Sequence, residues 1–461
     1  MIFHELDSRE VVGRFDGGEI TSDAGGILLR EVEQRTRILG RLSKCFTDHR
    51  DPDRIEHSVE ELIKQRVYGL CLGYEDLNDH DELCRDRLLA LLCDRDDLTG
   101  EFRLRGADRG KPLAGKSTLN RLERTPLEGP KGRYKKTVAD PARMDALLLE
   151  VFVEAHPEPP QEVILDVDAT DDPLHGKQEG RYFHGYYKRY CYLPLYVFCG
   201  DHLLCARLRT SDRGPAHGVV AELARIVSRL REAWPQVRIT VRGDSGFSND
   251  ELMLWCEKEG IDYVLGLAKN ERLKRRIAPR MEIVRQLQKE TGKPARQFQE
   301  LRYRTRKSWS CERRVVAKVE HLPRGENPRY IVTSVPIQEC EGRRLYEEIY
   351  CARGDMENRI KEQQLGLFAD RTSTRKLAAN QLRLYLSSFA YLMMETLRRV
   401  GLAGTKWARA QSWTLRVRLL KIGAQVRVTT RKVWLSFSES YPHAALLRTA
   451  LAQVQALPLR C

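Results

Sequence analysis

Among its 12 cysteines the 461-residue chain has no CxxC pair, and it has no apolar run approaching 18 residues, no low-complexity tract and no internal repeat. Each absence excludes a class. Irregularly scattered thiols such as Cys45, Cys71, Cys199, Cys256 and Cys461 do not make a disulfide framework, so reduced thiols in a cytosol are expected. Cys71, Cys84 and Cys93, with His80 nearby, are separated by 12 and 8 residues without the close pair that zinc sites use, and read as buried thiols. The start, Met1 to Ser8, lacks a charged segment followed by an apolar core. The expectation is a cytoplasmic protein that is neither secreted nor membrane-spanning.

What the chain has is length and positive charge. At 461 residues two or three domains are expected. Lysine and arginine outnumber aspartate and glutamate by 79 to 65, giving +14 and a pI near 9.2. The excess is local: 17 basic against 6 acidic residues from Gly266 to Glu320, and ten against none from Thr396 to Lys432. A single charge run is usually a solvated face. Two runs interleaved with Tyr303, Trp309, Trp407 and Trp413 point instead to a polyanion, because cations neutralise phosphates while rings stack on bases.

Periodicity predicts a mainly α-helical N-terminal region, 1–155, with helices from Thr21 to about Leu98. A positive, glycine- and proline-rich loop follows over 99–137, where Ser117 is a candidate helix cap, and then a helix from Met144 to Ala155. After the prolines at 157–160 the pattern changes. Strands are expected at Val163–Asp168, Tyr192–Cys199 and His202–Leu208, a helix at Gly218–Glu232, a strand at Val237–Val241, a helix at Asn249–Glu259 and a strand at Ile261–Gly266. Three strands in meander, then helix, strand, helix, strand, is the order of an α/β RNase H-like core with a mixed five-stranded sheet, placed over 160–269. A β-rich insertion is expected over 270–345, the second part of the core with a helix at Tyr346–Leu367 over 346–400, and a basic C-terminal region over 401–461.

Three carboxylates carry the chemistry. Asp168 closes one predicted strand, Asp244 closes another, and Glu357 lies on a basic helix, with separations of 76 and 113 residues. Two divalent cations about 4 Å apart need hard anionic oxygens, which folds usually supply from separate elements. Asp166 and Asp168 share one strand face, which makes Asp166 the rival for the first ligand. Asp244 falls at the carboxyl edge of the sheet, where α/β sites collect. Tyr350, Arg353, Glu357 and Lys361 recur at helical spacing, so one stripe presents a ring, two cations and an acid suited to work beside a phosphate backbone. Arg359 and Lys376 are further phosphate-contact candidates. Gly110, Gly115, Lys116 and Ser117 satisfy GxxxxGK[ST], but charges rather than a buried strand precede Gly110, so no nucleotide site is assigned. His175 and His184 flank an aromatic stretch and read as packing or DNA-facing residues.

The blocks Asp168–Gly176, Arg242–Phe247 and Tyr350–Glu362, with Thr21–Gly26, Lys116–Glu123 and Asn380–Leu384, resemble the DDE transposases of bacterial insertion sequences, DDE group 1 family. The resemblance implies an RNase H-like core with a β insertion, binding to terminal inverted repeats and target DNA, a homodimer in the synaptic complex, and metal-dependent cleavage and strand transfer. It implies Asp168, Asp244 and Glu357 as ligands of two Mg²⁺ ions, with Mn²⁺ as a substitute. Tyr350, Arg353, Arg359 and Lys361 would contact DNA, and Trp309 would receive a flipped base. Related enzymes place a lysine seven residues after the glutamate. Here position 364 is glutamine and the lysine is Lys361, at four. A nuclease of the same fold without strand transfer, or an inactive DNA-binding relic or repressor, are the alternatives.

Overall fold

The computed structural model describes residues 1–124 and 137–460. Residues 125–136 of the expected 99–137 loop lie outside them. The fold is mixed α/β with one large mixed sheet, and the chain divides into two compact units.

One unit comprises Ala142–Lys361 and Asp370–Leu384. Helix α1, Pro141–Glu154, leads to strands β1 (Glu162–Ala169), β2 (Leu195–Cys199) and β3 (His202–Arg207). Then follow α2 (Val219–Ala233), β4 (Arg238–Gly243), α3 (Asp250–Glu259) and β5 (Asp262–Leu267). β2 runs antiparallel to both β1 and β3, whereas β1, β4 and β5 are parallel neighbours. Strands buried on both faces need apolar side chains throughout, and Leu165, Val167, Val197, Val241 and Leu265 are all fully buried. Helix α2 covers the sheet with Val219, Leu223, Ile226, Val227 and Leu230, one stripe at helical spacing. Asn249 caps α3 by accepting from the Leu252 N–H at 3.1 Å, and Gly260 ends it in the left-handed region, φ 64°.

Two expectations shift. The second strand begins at Leu195, after Pro194, whose missing N–H interrupts a ladder. The preceding Arg189–Tyr192 joins Asp172–Pro173 and Tyr182–His184 in a separate small sheet. The segment 270–345 opens with a helix, α4 (Glu271–Thr291), rather than strands. Leu273, Ile277, Met281 and Val284 line its buried face, and the Asn270 side chain caps its first turn. The strands that follow, β6 (Ala295–Tyr303), β7 (Arg313–Leu322) and β8 (Arg329–Thr333), extend the same sheet in the order β3-β2-β1-β4-β5-β8-β7-β6. β8 pairs antiparallel with β5, so the apolar alternation of this segment reports a continuation of the core sheet.

The next helical run is unevenly wound. Wide π turns at Leu345–Tyr350 and a tight turn at Cys351–Arg353 precede the regular helix α5, Gly354–Lys361. Such irregular winding re-aims side chains relative to a straight helix, and it recurs at functional sites.

The other unit comprises Met1–Pro141, Glu362–Ala369 and Tyr385–Cys461 among the described residues. Its helices include Ile27–Thr36, Val59–Leu72 and Ala444–Gln455. The terminal segments meet here: Ala424–Val428 pairs with Ile20–Thr21 on one side and Val433–Phe437 on the other. Helix Lys116–Glu123 is capped at Gly115, which places Ser117 inside the first turn rather than at the cap. The Lys116 ammonium pairs with Asp81 at 2.9 Å, and its backbone N–H donates to the same carboxylate at 3.1 Å. An acid therefore stands where a phosphate loop would hold its anion. No helix among the described residues is long and apolar enough to cross a membrane.

Candidate active site

The parallel pairing of β1 with β4 sets Val167 opposite Gly243, so the next residues, Asp168 and Asp244, leave at the ends of adjacent strands. Neighbouring strands are about 5 Å apart, which brings the two carboxylates to one place despite 76 residues of sequence. Asp244 also shapes the turn: its Oδ1 accepts from the Gly246 N–H at 2.8 Å.

Asp166 and Asp168 share a strand face, yet their surroundings differ. Asp166 is 4% exposed and both its oxygens are taken by Arg242 of β4, Nε to Oδ1 at 2.5 Å and Nη2 to Oδ2 at 2.7 Å. Arg242 also donates from Nη1 to the Ile349 carbonyl at 2.5 Å, tying β4 to the helical run that carries the third acid. Asp168 has no such bidentate partner. Its Oδ1 accepts from the Ala169 N–H at 2.9 Å, and Arg353 Nη1 stands 3.7 Å from its Oδ2. Arg353 Nη2 meanwhile donates to Glu357 Oε1 at 2.9 Å, one helical turn on. One guanidinium thus bridges the sheet acid and the helix acid.

Burial pushes the Asp168 carboxyl up to about 6; Arg353 opposes this, while Asp244 and then Glu357 add to it as neighbouring negative charges. Burial also works against the charge of Arg353, but Asp168, Glu357 and Asp244 outweigh it and hold the guanidinium protonated. Tyr350 is raised by burial, with Asp244 adding and Arg353 opposing. Its hydroxyl approaches the end of β5 so closely that a Cβ on Gly266 would lie 2.6 Å from Tyr350 Oη and 2.8 Å from the Ser245 nitrogen. Only glycine allows the ring to sit there.

Asp168, Asp244, Glu357, Tyr350 and Arg353 therefore gather at one edge of the sheet. The chemistry of this donor set fits hard divalent cations, since three carboxylates sense one another around Asp168. No group of three or more His, Cys, Asp or Glu among the described residues stands close enough to hold a metal ion as arranged, and the Arg353 guanidinium occupies the space between Asp168 and Glu357.

The remaining candidates lie elsewhere. Arg359 pairs with Asp201, in the β2–β3 turn, at 3.3 Å. Lys361 is exposed at the end of α5, and Lys376 pairs with Glu179 at 3.9 Å. Trp309, expected to offer its ring to a base, is instead 4% exposed. It packs edge-on against Tyr303 at 5.8 Å, with Arg313 over its face, so core burial rather than stacking explains this aromatic. Two residues escaped sequence reasoning. Arg242 could have been noticed as a cation inside the apolar part of its strand, two residues before Asp244 and therefore on the same face. Tyr187, raised by burial and by Asp171 and Asp168, lies in the aromatic stretch around His184, and nothing local sets it apart from its neighbours.

No curated protein matches the chain. Seven chains of solved structures match, among them one from the cryo-EM structure of the piggyBac transposase synaptic complex with hairpin DNA. That chain is 13% identical over 94% of this chain and 85% of its own, with a TM-score of 0.39, a likeness too slight to assign a fold or a residue's role. A family model described as transposase DDE domain group 1 matches residues 3–459. By that match, over nearly its whole length, the chain belongs to the transposase DDE domain group 1 family.

Proposed function

We propose that this transposase cleaves DNA at the terminal inverted repeats of a bacterial insertion sequence and joins the freed ends to target DNA, using Asp168, Asp244 and Glu357 on an RNase H-like core. The observation that carries the reading is the convergence of two strand-end aspartates with a helix glutamate bridged by Arg353. The strand order β3-β2-β1-β4-β5, with only β1, β4 and β5 parallel, supports the RNase H-like assignment.

Members of this family generally use divalent metal ions. Asp168, Asp244 and Glu357 would hold them, Mg²⁺ in the first instance with Mn²⁺ as substitute. Bound there, two such ions supply an activated attacking oxygen and neutralise charge on the leaving oxygen of an in-line displacement. Arg353 holds the acids as a guanidinium bridge in the absence of substrate and is placed to pair with a phosphate when DNA enters. Its Nη1, which has no hydrogen-bond acceptor, is the donor available for that exchange. Tyr350 packs under the same edge, its hydroxyl against Gly266. Asp166 is excluded as a ligand in this reading because Arg242 already takes both its oxygens. No nucleoside triphosphate is needed, since transesterification conserves the number of phosphodiesters. Joining two ends calls for two copies, hence a homodimer on DNA.

The test is an assay of the purified chain with Mg²⁺ on duplexes carrying the inverted repeats that flank its gene. Joined products support transposition. Cleavage without joining points to a nuclease, and binding alone to a relic.

A further inference from the structure

Between β1 and β2 the chain makes a small three-stranded sheet, Asp172–Pro173, Tyr182–His184 and Arg189–Tyr192, whose tip carries an exposed aromatic cluster. Tyr186 is 83% exposed, Phe183 58%, Tyr182 47% and Tyr190 41%. Four large rings in nine residues are costly to leave in water. They are mutually ordered: Phe183 meets Tyr190 edge-to-face at 5.5 Å, and Tyr186 meets Tyr187 at 5.0 Å with planes 88° apart.

The base of this element is fixed by hydrogen bonds, while the Tyr186 and Phe183 rings stand out in solvent. Tyr192 Oη donates to the Glu179 carbonyl at 2.5 Å, the Glu179 N–H donates to the Arg375 carbonyl at 2.8 Å, and Gln178 donates to the Thr372 carbonyl at 3.2 Å. The tip is also basic. From His175 to Tyr192 the chain has Lys177, Arg181, Lys188 and Arg189 against one acid, Glu179. Arg181 lies over the Tyr190 ring at 3.6 Å. The element reaches the candidate active site through Tyr187, whose hydroxyl stands 3.5 Å from the Ala169 carbonyl, the residue after Asp168.

We infer that this hairpin is a stacking platform for unpaired bases of the DNA strand next to the cleaved phosphate, with Tyr186 and Phe183 offering ring faces and Arg181, Lys188 and Arg189 holding the backbone. Exposed aromatics interleaved with cations suit single-stranded nucleic acid, because every base has a π-face and every nucleotide a phosphate. An exposed apolar patch for a protein partner would not need four cations among its rings. Cutting near a duplex end leaves bases that lose their stacking partners, and a platform joined to the Asp168 strand replaces that contact. The role rests on the reading of this edge as the site of DNA cleavage.

The experiment compares a forked duplex carrying 2-aminopurine in its unpaired arm with a fully paired duplex of the same sequence, using the full chain. Wild type is expected to quench the 2-aminopurine and to prefer the fork. The double variant Tyr186→Ala/Phe183→Ala is expected to lose the quenching and about tenfold of the fork preference. Tyr186→Trp, which keeps a ring face, is expected to retain both, which separates stacking from misfolding. Quenching by the double variant equal to wild type, or a wild type that binds DNA without quenching, overturns the platform and leaves the active-site reading standing. A wild type that binds neither duplex overturns both.

Discussion

Arg242 holds Asp166 through both carboxylate oxygens, at 2.5 and 2.7 Å, across the pairing of β4 with β1. This buried pair separates two aspartates that look alike in sequence. It makes Asp166 a structural acid, leaves Asp168 for chemistry, and fastens the helical run through the Ile349 carbonyl. Removing one partner of a buried pair strands the other charge, at a cost of about 3–5 kcal/mol. Arg242→Ala and Asp166→Ala should each lose stability on that scale in urea unfolding. A loss under about 1 kcal/mol in both would contradict the role.

Asp168→Asn and Glu357→Gln should each lower Mg²⁺-dependent cleavage of inverted-repeat DNA by more than about a hundredfold, beyond what outer-sphere changes around a metal usually cost. Binding to the same DNA, read by mobility shift, should persist. Full cleavage by either variant would sink the ligand assignment.

The Asp168 carboxyl, raised to about 6 from 3.8, sets a pH dependence of stability. Because its folded value lies above the unfolded one, stability from this group is present below about pH 4 and is lost as pH rises through about 6. Asp168→Asn removes the loss. Without metal, the variant should be more stable than wild type by about 3 kcal/mol at pH 7, with the gap closing toward pH 4. Denaturant melts across that range test this, and a gap that widens on acidification would show the sign to be wrong.

Gly266→Ala should force Tyr350 and the Ser245 turn apart, since the added carbon falls 2.6 Å from the ring hydroxyl. Overpacking of this kind costs about 1–3 kcal/mol. Adding Tyr350→Phe removes the colliding oxygen and should recover part of that stability. No recovery would place the strain at Ser245 instead.

Trp309→Ala should cost about 3–5 kcal/mol of stability, as truncation of a buried aromatic does. In the folded variant at low temperature the affinity for DNA should change little. Loss of 2-aminopurine quenching without loss of stability would restore a stacking role for this ring.

Much of the core could be read from the amino acids alone because its signals are local. Apolar runs of five or six residues, the 3.6-residue stripe of α2, and glycine and asparagine caps place β1 to β5 with α2 and α3 within a few residues, since backbone sterics and burial act over one or two turns. The three acids were also visible, as carboxylates at strand ends and on a basic helix. What lay beyond the sequence depends on contacts between distant segments. Alternation puts Asp166 and Asp168 on one face but says nothing of Arg242, 76 residues after Asp166, whose charge distinguishes them. The alternating pattern from Leu301 to Val335 reads equally as a separate insertion or as added strands, and only the pairing of β8 with β5 decides for one sheet. A tryptophan among cations looks the same in sequence whether it faces solvent or core, and Trp309 is in the core because Tyr303 and Arg313 cover it. Composition and periodicity specify which residues must be buried and which strands they make; register and long-range ion pairs decide which carboxylate is left free to act.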